Sequence, residues 1–193
     1  PKWASVPLPD RLRLPFRFDA DTLAADARGF EPERWERHFN TGYYEGDWSG
    51  VALRSVAGRL SLYPDPTATA SFTDTPLLAA CPGVRAALAA LRCPLTSVRF
   101  LRLGPGARVR EHTDYHLAFE DGEVRLHVPV LTGPGVEFVL AGRELPMAAG
   151  ECWYVNVNLP HRVANPGPKP RIHLVIDCIV DDWLREIFLG AAA

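Results

Sequence analysis

The sequence lacks the features of membrane proteins and of nucleic-acid-binding proteins. No apolar run approaches the ~20 residues that a membrane-spanning helix needs, and no basic segment followed by an apolar one opens the chain. The 21 lysines and arginines nearly balance the 23 aspartates and glutamates, for a net charge of -2 at pH 7. This balance gives no electrostatic basis for binding nucleic acid or an anionic membrane. We therefore expect a cytoplasmic protein with neither partner.

Cysteine is scarce, and internal repeats and low-complexity linkers are absent. The four cysteines form no Cys-x-x-Cys pair and lie in apolar surroundings, which predicts reduced core residues rather than zinc ligands or a disulfide framework. They are Cys81, Cys93, Cys152 and Cys178. The 193 residues, 47% of them apolar, are enough for one core. We predict a single domain over residues 1–193, with 1–94 as a helical and loop support and substrate wall, 95–180 as a β core and 181–193 as a C-terminal helix.

Proline and glycine are abundant instead. The 18 prolines and 15 glycines suit short strands joined by tight turns. Helices are expected from Asp21, as N-cap, to Arg28, within 32–39, in two pieces within 75–91, and over 181–189. Alternating apolar residues bounded by turn signals predict strands at 51–56, 97–103, 107–112, 124–131, 136–140, 151–157, 161–164 and 171–179. The predicted fold is mainly β with flanking helices, as a sandwich or barrel.

The stretch from Glu111 to His116 carries the most specific chemistry. Side chains two apart on a strand share a face, so His112 and Asp114 can reach one atom from a short segment. His161 can add a second imidazole from a distant strand. Two histidines and one carboxylate match the facial triad of non-heme Fe(II) sites, although His-x-Asp alone is short enough to occur by chance. We predict that His112, Asp114 and His161 bind the metal, and that His116 either lies behind these ligands without binding the metal or faces the substrate.

Two further strands place arginines beside histidines. Alternation puts Arg171, His173, Val175 and Asp177 on one face, with aliphatic residues on the other, and puts Arg125 and His127 together. A buried arginine needs an anion, which is either an internal partner such as Asp177 or Glu137, or a ligand carboxylate. Because His161 and Arg171 flank a turn rich in proline and glycine, we expect them on adjacent antiparallel strands, which would bring Arg171 close to the metal.

The segment 38–55 combines aromatic residues with glycines. It is either a structured loop packed on the core or a wall of a substrate pocket. Trp48 and Arg54 are the predicted substrate-side residues, because they flank Gly50 and because Arg54 could pair with a substrate carboxylate.

Several motifs of the chain occur in the order found in one enzyme family. They are Glu111-His112-Thr113-Asp114, Arg125-Leu126-His127, Gly150-Glu151-Cys152-Trp153-Tyr154, Leu159-Pro160-His161-Arg162-Val163 and Arg171-Ile172-His173-Leu174-Val175-Ile176-Asp177. Together they resemble the aspartyl/asparaginyl β-hydroxylase family, and bacterial members such as the proline cis-hydroxylases more than the animal enzyme. The resemblance covers about residues 95–180.

The resemblance implies a double-stranded β-helix, or jelly-roll, fold and a dioxygenase that uses Fe(II), O2 and the cosubstrate 2-oxoglutarate. It assigns iron to His112, Asp114 and His161, and the distal carboxylate of 2-oxoglutarate to Arg171, with Arg125 and His127 near the cosubstrate. The expected reaction hydroxylates an amino acid, a peptidyl residue or a related small molecule and releases succinate and CO2.

Two positions depart from the animal enzyme of the family. That enzyme lacks the carboxylate ligand that Asp114 supplies. A serine that helps to bind 2-oxoglutarate there aligns with Leu101, and the neighbouring Arg102 is a candidate replacement. Because Asp114 fills the third protein position on the metal, no site remains for a halide, and hydroxylation is the expected outcome.

A different class of protein fits part of the same pattern. Residues 106–112 and 161–165 also resemble the two motifs of cupins, which include metal-binding isomerases and metabolite-binding sensors. Arg171, placed where a dicarboxylate would end, separates the two hypotheses.

Overall fold

The computed structural model describes residues 8–63 and 71–193. Residues 1–7 and 64–70, both within the predicted helical and loop support 1–94, lie outside the described residues. The strands are β1 Arg11–Arg17, β2 Glu36–Arg37, β3 Tyr44–Glu45, β4 Trp48–Val56, β5 Phe72–Asp74, β6 Leu95–Leu103, β7 Arg108–His112, β8 Glu123–Leu131, β9 Glu137–Leu140, β10 Arg143–Glu144, β11 Glu151–Val155, β12 His161–Ala164 and β13 Arg171–Ile179. The α-helices are α1 Ala20–Arg28, α2 Pro82–Ala89 and α3 Asp182–Ala192.

The strands form two antiparallel sheets. The large sheet has the order β1-β11-β8-β13-β6-β4-β2, with β5 paired to β4. The small sheet has the order β10-β9-β12-β7-β3. Consecutive strands often lie in different sheets, so the chain passes repeatedly from one sheet to the other. The prediction of a mainly β fold with flanking helices is confirmed.

The large sheet is the middle layer of the molecule, because each of its faces carries an apolar cluster. One face packs on the helices through a cluster that includes Phe100, Leu174 and Ile176 together with Leu23 of α1 and Leu184 of α3. The other face packs on the small sheet through a second cluster. Residues of both sheets belong to that second cluster, among them Leu103, Val109, Phe138, Leu140, Val163 and Val175.

The strand alternation of β13 shows how the sequence sets these layers. Ile172, Leu174 and Ile176 enter the cluster on the helix side, whereas Val175 enters the cluster between the sheets. Arg171 and Asp177 share the side of Val175, because side chains two apart on a strand share a face. The polar residues of β13 are therefore directed into the space between the two sheets, as the alternation predicted.

Two helix predictions need correction. The N-cap of α1 is Asp19, whose side chain accepts hydrogen bonds from the backbone N–H groups of Asp21 and Thr22, and Asp21 lies inside the first turn. Residues 32–39 form only one 3-10 turn, Pro32–Arg34, before the chain becomes extended in β2. The two helical pieces within 75–91 are present as a 3-10 helix, Pro76–Ala80, and α2.

The N-terminal half contributes to both sheets rather than only supporting them. β1 pairs with β11, β4 pairs with β6, and β3 pairs with β7 of the small sheet. The β core therefore includes strands before residue 95. Among the described residues, no helix is long and apolar enough to cross a membrane.

Candidate metal centre

Two histidines face each other across neighbouring strands of the small sheet. His112 ends β7 and His161 begins β12, and the two residues are direct partners in the antiparallel register. Their ring centroids are 4.3 Å apart. Directly opposed residues on antiparallel strands bring their side chains together, so the sheet itself sets this pair.

Backbone carbonyls fix the orientation of both imidazoles. Nδ1 of His112 lies 2.8 Å from the carbonyl oxygen of Arg110, and Nδ1 of His161 lies 2.9 Å from that of Leu159. A carbonyl can only accept, so each Nδ1 carries the proton and each Nε2 keeps a free lone pair. Metal-binding histidines usually have this arrangement, with the second ring nitrogen donating to a carbonyl or carboxylate.

Asp114 completes the group from just beyond the end of β7. Its backbone N–H donates to the carbonyl oxygen of Val157 at 2.8 Å. Its carboxylate oxygens lie 3.9 Å from Nε2 of His112 and 3.5 Å from Nε2 of His161. The ligand atoms of the three residues all lie within 4.8 Å of one another. Two imidazoles and one carboxylate are a donor set that suits non-heme Fe(II) and leaves other positions open.

The charge state of the group suits a divalent cation. Burial alone would raise the pKa of Asp114, but the neighbouring His161 side chain and the charge of Arg125 lower the pKa to about 2. Burial lowers the pKa of His112. The carboxylate is therefore ionised and the His112 imidazole is neutral at pH 7, and these are the forms that bind metal.

The three residues border a cavity of about 750 Å³ between the sheets. Part of its wall comes from the segment 38–55, through His38, Tyr43 and Trp48 among others. The His38 ring stacks on the Trp48 indole at 3.7 Å between centroids, and the Tyr43 ring lies 4.6 Å from that of His112. This volume is within the ~300–1,000 Å³ range of small-molecule sites.

Arg171 is a buried cation in the same cavity. It is 3% exposed, no carboxylate of the described residues pairs with it, and its Nε has no hydrogen-bond partner. Burial lowers its pKa to about 9. Its side chain donates from Nη2 to Nδ1 of His173 at 3.0 Å. A buried guanidinium without an anion is unfavourable, so this position suits an anionic ligand.

The strand neighbours of Arg171 differ from the predicted ones. His161 and Arg171 do not lie on adjacent strands, because β12 pairs with β7 and β9 in the small sheet whereas β13 pairs with β6 and β8 in the large sheet. The turn between them, residues 165–170, carries the chain from the small sheet to the large sheet. The metal group and Arg171 therefore belong to opposite sheets.

His127 and His173 form a buried chain with Arg171. Nδ1 of His173 accepts from Arg171, and it lies 3.0 Å from Nδ1 of His127. A guanidinium can only donate, so Nδ1 of His173 is unprotonated and Nδ1 of His127 donates to it. Burial and the charge of Arg171 hold the pKa of both imidazoles well below 6.5. The chain fixes the guanidinium within the cavity.

Arg125 is held by two carboxylates. Its Nε and Nη2 donate to Asp177 at 2.8 and 2.9 Å, and its Nη1 donates to Asp114 at 3.2 Å. The internal partner Asp177 was one of the two predicted alternatives. Both this guanidinium and that of Arg99, 3.5 Å from Asp177, line the cavity. Sequence analysis missed Arg99. Arg99 and Leu101 are two residues apart on β6 and so face the same side, and both line the cavity.

Arg102 lies on the opposite face of β6. It donates to Asp47 at 3.2 Å, and its guanidinium lies 4.2 Å from the Trp35 ring centroid. Trp35 packs against the cluster on the helix side of the large sheet. The position of Arg102 therefore does not support the predicted role of replacing the serine at Leu101, since alternate residues of a strand face opposite sides.

The remaining predicted residues, those assigned to the substrate, differ in whether they line the cavity. His116 is exposed, adopts a left-handed backbone with φ 61°, and is not among the residues that line the cavity. Trp48 and Arg54 both line the cavity. Both lie on β4, which contains the predicted strand 51–56 and begins earlier, at Trp48. The Arg54 guanidinium already bonds to Asp74 and to two backbone carbonyl oxygens.

Comparison with known proteins identifies similar sequences. A family model described as aspartyl/asparaginyl β-hydroxylase matches residues 18–180. The chain is also 28% identical over 181 residues to an L-proline cis-4-hydroxylase of Rhizobium meliloti (strain 1021). That alignment covers 89% of this chain and 62% of the relative, so the chain spans less than two thirds of the length of that protein.

Solved structures share the fold. A Pseudomonas putida prolyl-4-hydroxylase matches with a TM-score of 0.54 and 18% identity, over 89% of this chain and 93% of that chain. SnoN, a non-heme α-ketoglutarate-dependent epimerase from nogalamycin biosynthesis, matches with a TM-score of 0.53 and 15% identity, over 88% and 78% of the two chains. The two neighbours catalyse different reactions, so the likeness shows the double-stranded β-helix fold and not the reaction.

Proposed function

Because this chain belongs to the aspartyl/asparaginyl β-hydroxylase family, we propose that it is an Fe(II)- and 2-oxoglutarate-dependent hydroxylase. Its substrate is an amino acid, a peptidyl residue or a related small molecule. His112, Asp114 and His161 hold the metal. When bound, Fe(II) would supply the chemistry by which 2-oxoglutarate, O2 and the substrate become succinate, CO2 and the hydroxylated substrate.

The observation that carries this proposal is Arg171, a buried and unpaired guanidinium in the cavity that the three candidate ligands border. The planar fork of an arginine binds a carboxylate bidentately. Arg171 therefore takes the distal carboxylate of 2-oxoglutarate, and His173 and His127 keep the guanidinium in place. A cupin isomerase or sensor has no comparable need for a dicarboxylate.

The other residues of the cavity position the substrate. Arg99 lies 13% exposed on the cavity wall and is only partly matched by Asp177 at 3.5 Å, so it suits an anionic group such as an amino-acid carboxylate. The rings of His38 and Trp48 cover the side of the site near His112. They keep water from this part of the site and limit which C–H bond approaches the metal.

Succinate release tests the proposal even while the substrate is unidentified. Metal-free protein supplied with Fe(II), 2-oxoglutarate, ascorbate and O2 should release succinate above a metal-free control, and more when the true substrate is added. L-Proline is the first substrate to try, because a relative acts on it, followed by pools of amino acids and short peptides. His112→Ala and His161→Ala should abolish release, whereas Arg102→Ala should not, since Arg102 faces away from the cavity. No succinate under any of these conditions would favour the cupin hypothesis.

A further inference from the structure

Arg125 links the candidate metal centre to a buried carboxylate of the large sheet. Each of its three nitrogens has a carboxylate partner: Nε and Nη2 bond to the two oxygens of Asp177, and Nη1 bonds to Oδ2 of Asp114. The resemblance to known enzymes assigned Arg125 to the cosubstrate. A ligand carboxylate would have to compete with two protein carboxylates for this guanidinium.

The Arg125 guanidinium is held rigidly by the sheet. Arg125 on β8 and Asp177 on β13 are direct partners in the antiparallel register, and their side chains are 19% and 8% exposed. The two parallel hydrogen bonds to Asp177 fix the plane of the guanidinium as well as its position. The third nitrogen, Nη1, is thereby directed at Asp114.

Asp114 has less support of its own. It lies two residues beyond the end of β7, and its side chain is 29% exposed, against 9% and 6% for His112 and His161. The two histidines are oriented by carbonyls, but Arg125 is the residue that donates a hydrogen bond to the Asp114 carboxylate. A carboxylate has about four lone-pair sites, so the contact at Oδ2 leaves capacity for a metal.

We propose that Asp177 and Arg125 form a positioning pair that orients Asp114 as a metal ligand. This inference rests on the metal site of the proposed function. Asp177 orients Arg125, and Arg125 holds the Asp114 carboxylate toward the two histidines before the metal arrives. The pair thus sets metal affinity and is separate from the cosubstrate site at Arg171.

Metal affinity, measured without cosubstrate or turnover, tests the pair. The dissociation constant of metal-free protein for Co²⁺ is measured by calorimetry and by the Co²⁺ absorption spectrum. Loss of a hydrogen bond to a metal ligand typically weakens metal binding ~10–100-fold, and this is the expected effect of Arg125→Gln. Arg102→Gln, an arginine on the other face of the same sheet, is the matched control and should bind Co²⁺ like the wild type.

Three further variants separate positioning from a general loss of structure. Asp177→Asn keeps the size of the side chain but weakens the hold on Arg125, so it should also weaken Co²⁺ binding. Because both residues act through Asp114, the double variant should bind Co²⁺ no more weakly than Arg125→Gln alone. Arg125→Lys keeps the charge but cannot reach both carboxylates as a fork, so it should not restore wild-type affinity.

The outcomes distinguish this inference from the proposed function. Folded Arg125→Gln with wild-type Co²⁺ affinity would overturn the pair, and if that variant does not fold, Asp177→Asn with wild-type affinity would do the same. Normal Co²⁺ affinity together with weak binding of 2-oxoglutarate would return Arg125 to a cosubstrate role. Wild-type protein that binds no Co²⁺ would overturn the metal site itself.

Discussion

Replacing Arg171 with methionine should stabilise the ligand-free protein while removing its response to 2-oxoglutarate. Burial lowers the pKa of Arg171 from 12.5 to about 9. At 1.36 kcal/mol per pKa unit, burial therefore costs the charged guanidinium roughly 5 kcal/mol of free energy. The variant loses the hydrogen bond to His173, worth about 1–3 kcal/mol. Net stabilisation of ~2–4 kcal/mol is expected, within the range found for other buried charges replaced by apolar side chains.

2-Oxoglutarate should stabilise the wild type but not the variant. In the wild type, 2-oxoglutarate at a hundred times its dissociation constant should add ~2.7 kcal/mol to the free energy of unfolding. Loss of a buried charged partner costs a ligand ~2–5 kcal/mol, or about 30-fold to more than a thousandfold in affinity at ~1.4 kcal/mol per decade. The variant should therefore gain almost nothing from the same ligand concentration.

Urea unfolding measures both effects. The wild type, Arg171→Met and Arg102→Met are unfolded with and without 2-oxoglutarate, in the presence of Mn²⁺ to fill the candidate metal site without turnover. Arg102→Met should keep the full response to 2-oxoglutarate. An Arg171→Met protein that is clearly less stable than the wild type without ligand, or that gains as much from 2-oxoglutarate, would refute the account of Arg171 as an unpaired cation that awaits a dicarboxylate.

Three further predictions concern the metal ligands and the thiols. His116→Ala should bind Co²⁺ like the wild type in calorimetry, because His116 lies outside the cavity lining, whereas His112→Ala should not; equal losses would contradict the ligand assignment. The pKa of Asp114 is about 2 in the folded protein, against an ordinary 3.8, so the folded state binds fewer protons than the unfolded state. The stability that Asp114 contributes is therefore present above about pH 4 and is lost as the pH falls toward about 2. Metal-free Asp114→Asn should lack that part of the pH dependence of urea unfolding, and an unchanged profile would contradict the lowered pKa of Asp114. Burial raises the pKa of the Cys81 and Cys152 thiols to about 12, so iodoacetamide should alkylate these cysteines at pH 8 only in denaturant, as mass spectrometry would show.

Most strands, and the closeness of His112 to Asp114, could be predicted from sequence because their signals are local. Period-two alternation gave β13 with both ends correct at residues 171–179. It also placed Arg171 and Asp177 on the side away from the aliphatic cluster. The spacing of His112 and Asp114 brings their side chains together even though β7 ends at His112.

The pairing of the strands was not predictable from the same signals. A turn rich in proline and glycine can join two neighbours in one sheet or carry the chain to the other sheet, and the residues 165–170 do the latter. Arg99 escaped notice for a related reason. A lone arginine on an alternating strand is usually on the solvent side, and only the second sheet, which covers that face of β6, makes Arg99 a cavity residue. The N-cap at Asp19 was missed because Asp21 offers the same side chain two residues later.

The two faces of β13 constrain how this chain can change in length. Inserting or deleting one residue within the strand would rotate every later side chain to the opposite face. Asp177 would then enter the aliphatic cluster beside the helices, and an aliphatic residue would take its place against Arg125. The exposed turn that precedes β13 carries no such restriction at Pro166 and Pro168. Natural variation in length should therefore be found in that turn, whereas β13 should have the same length in functional homologues.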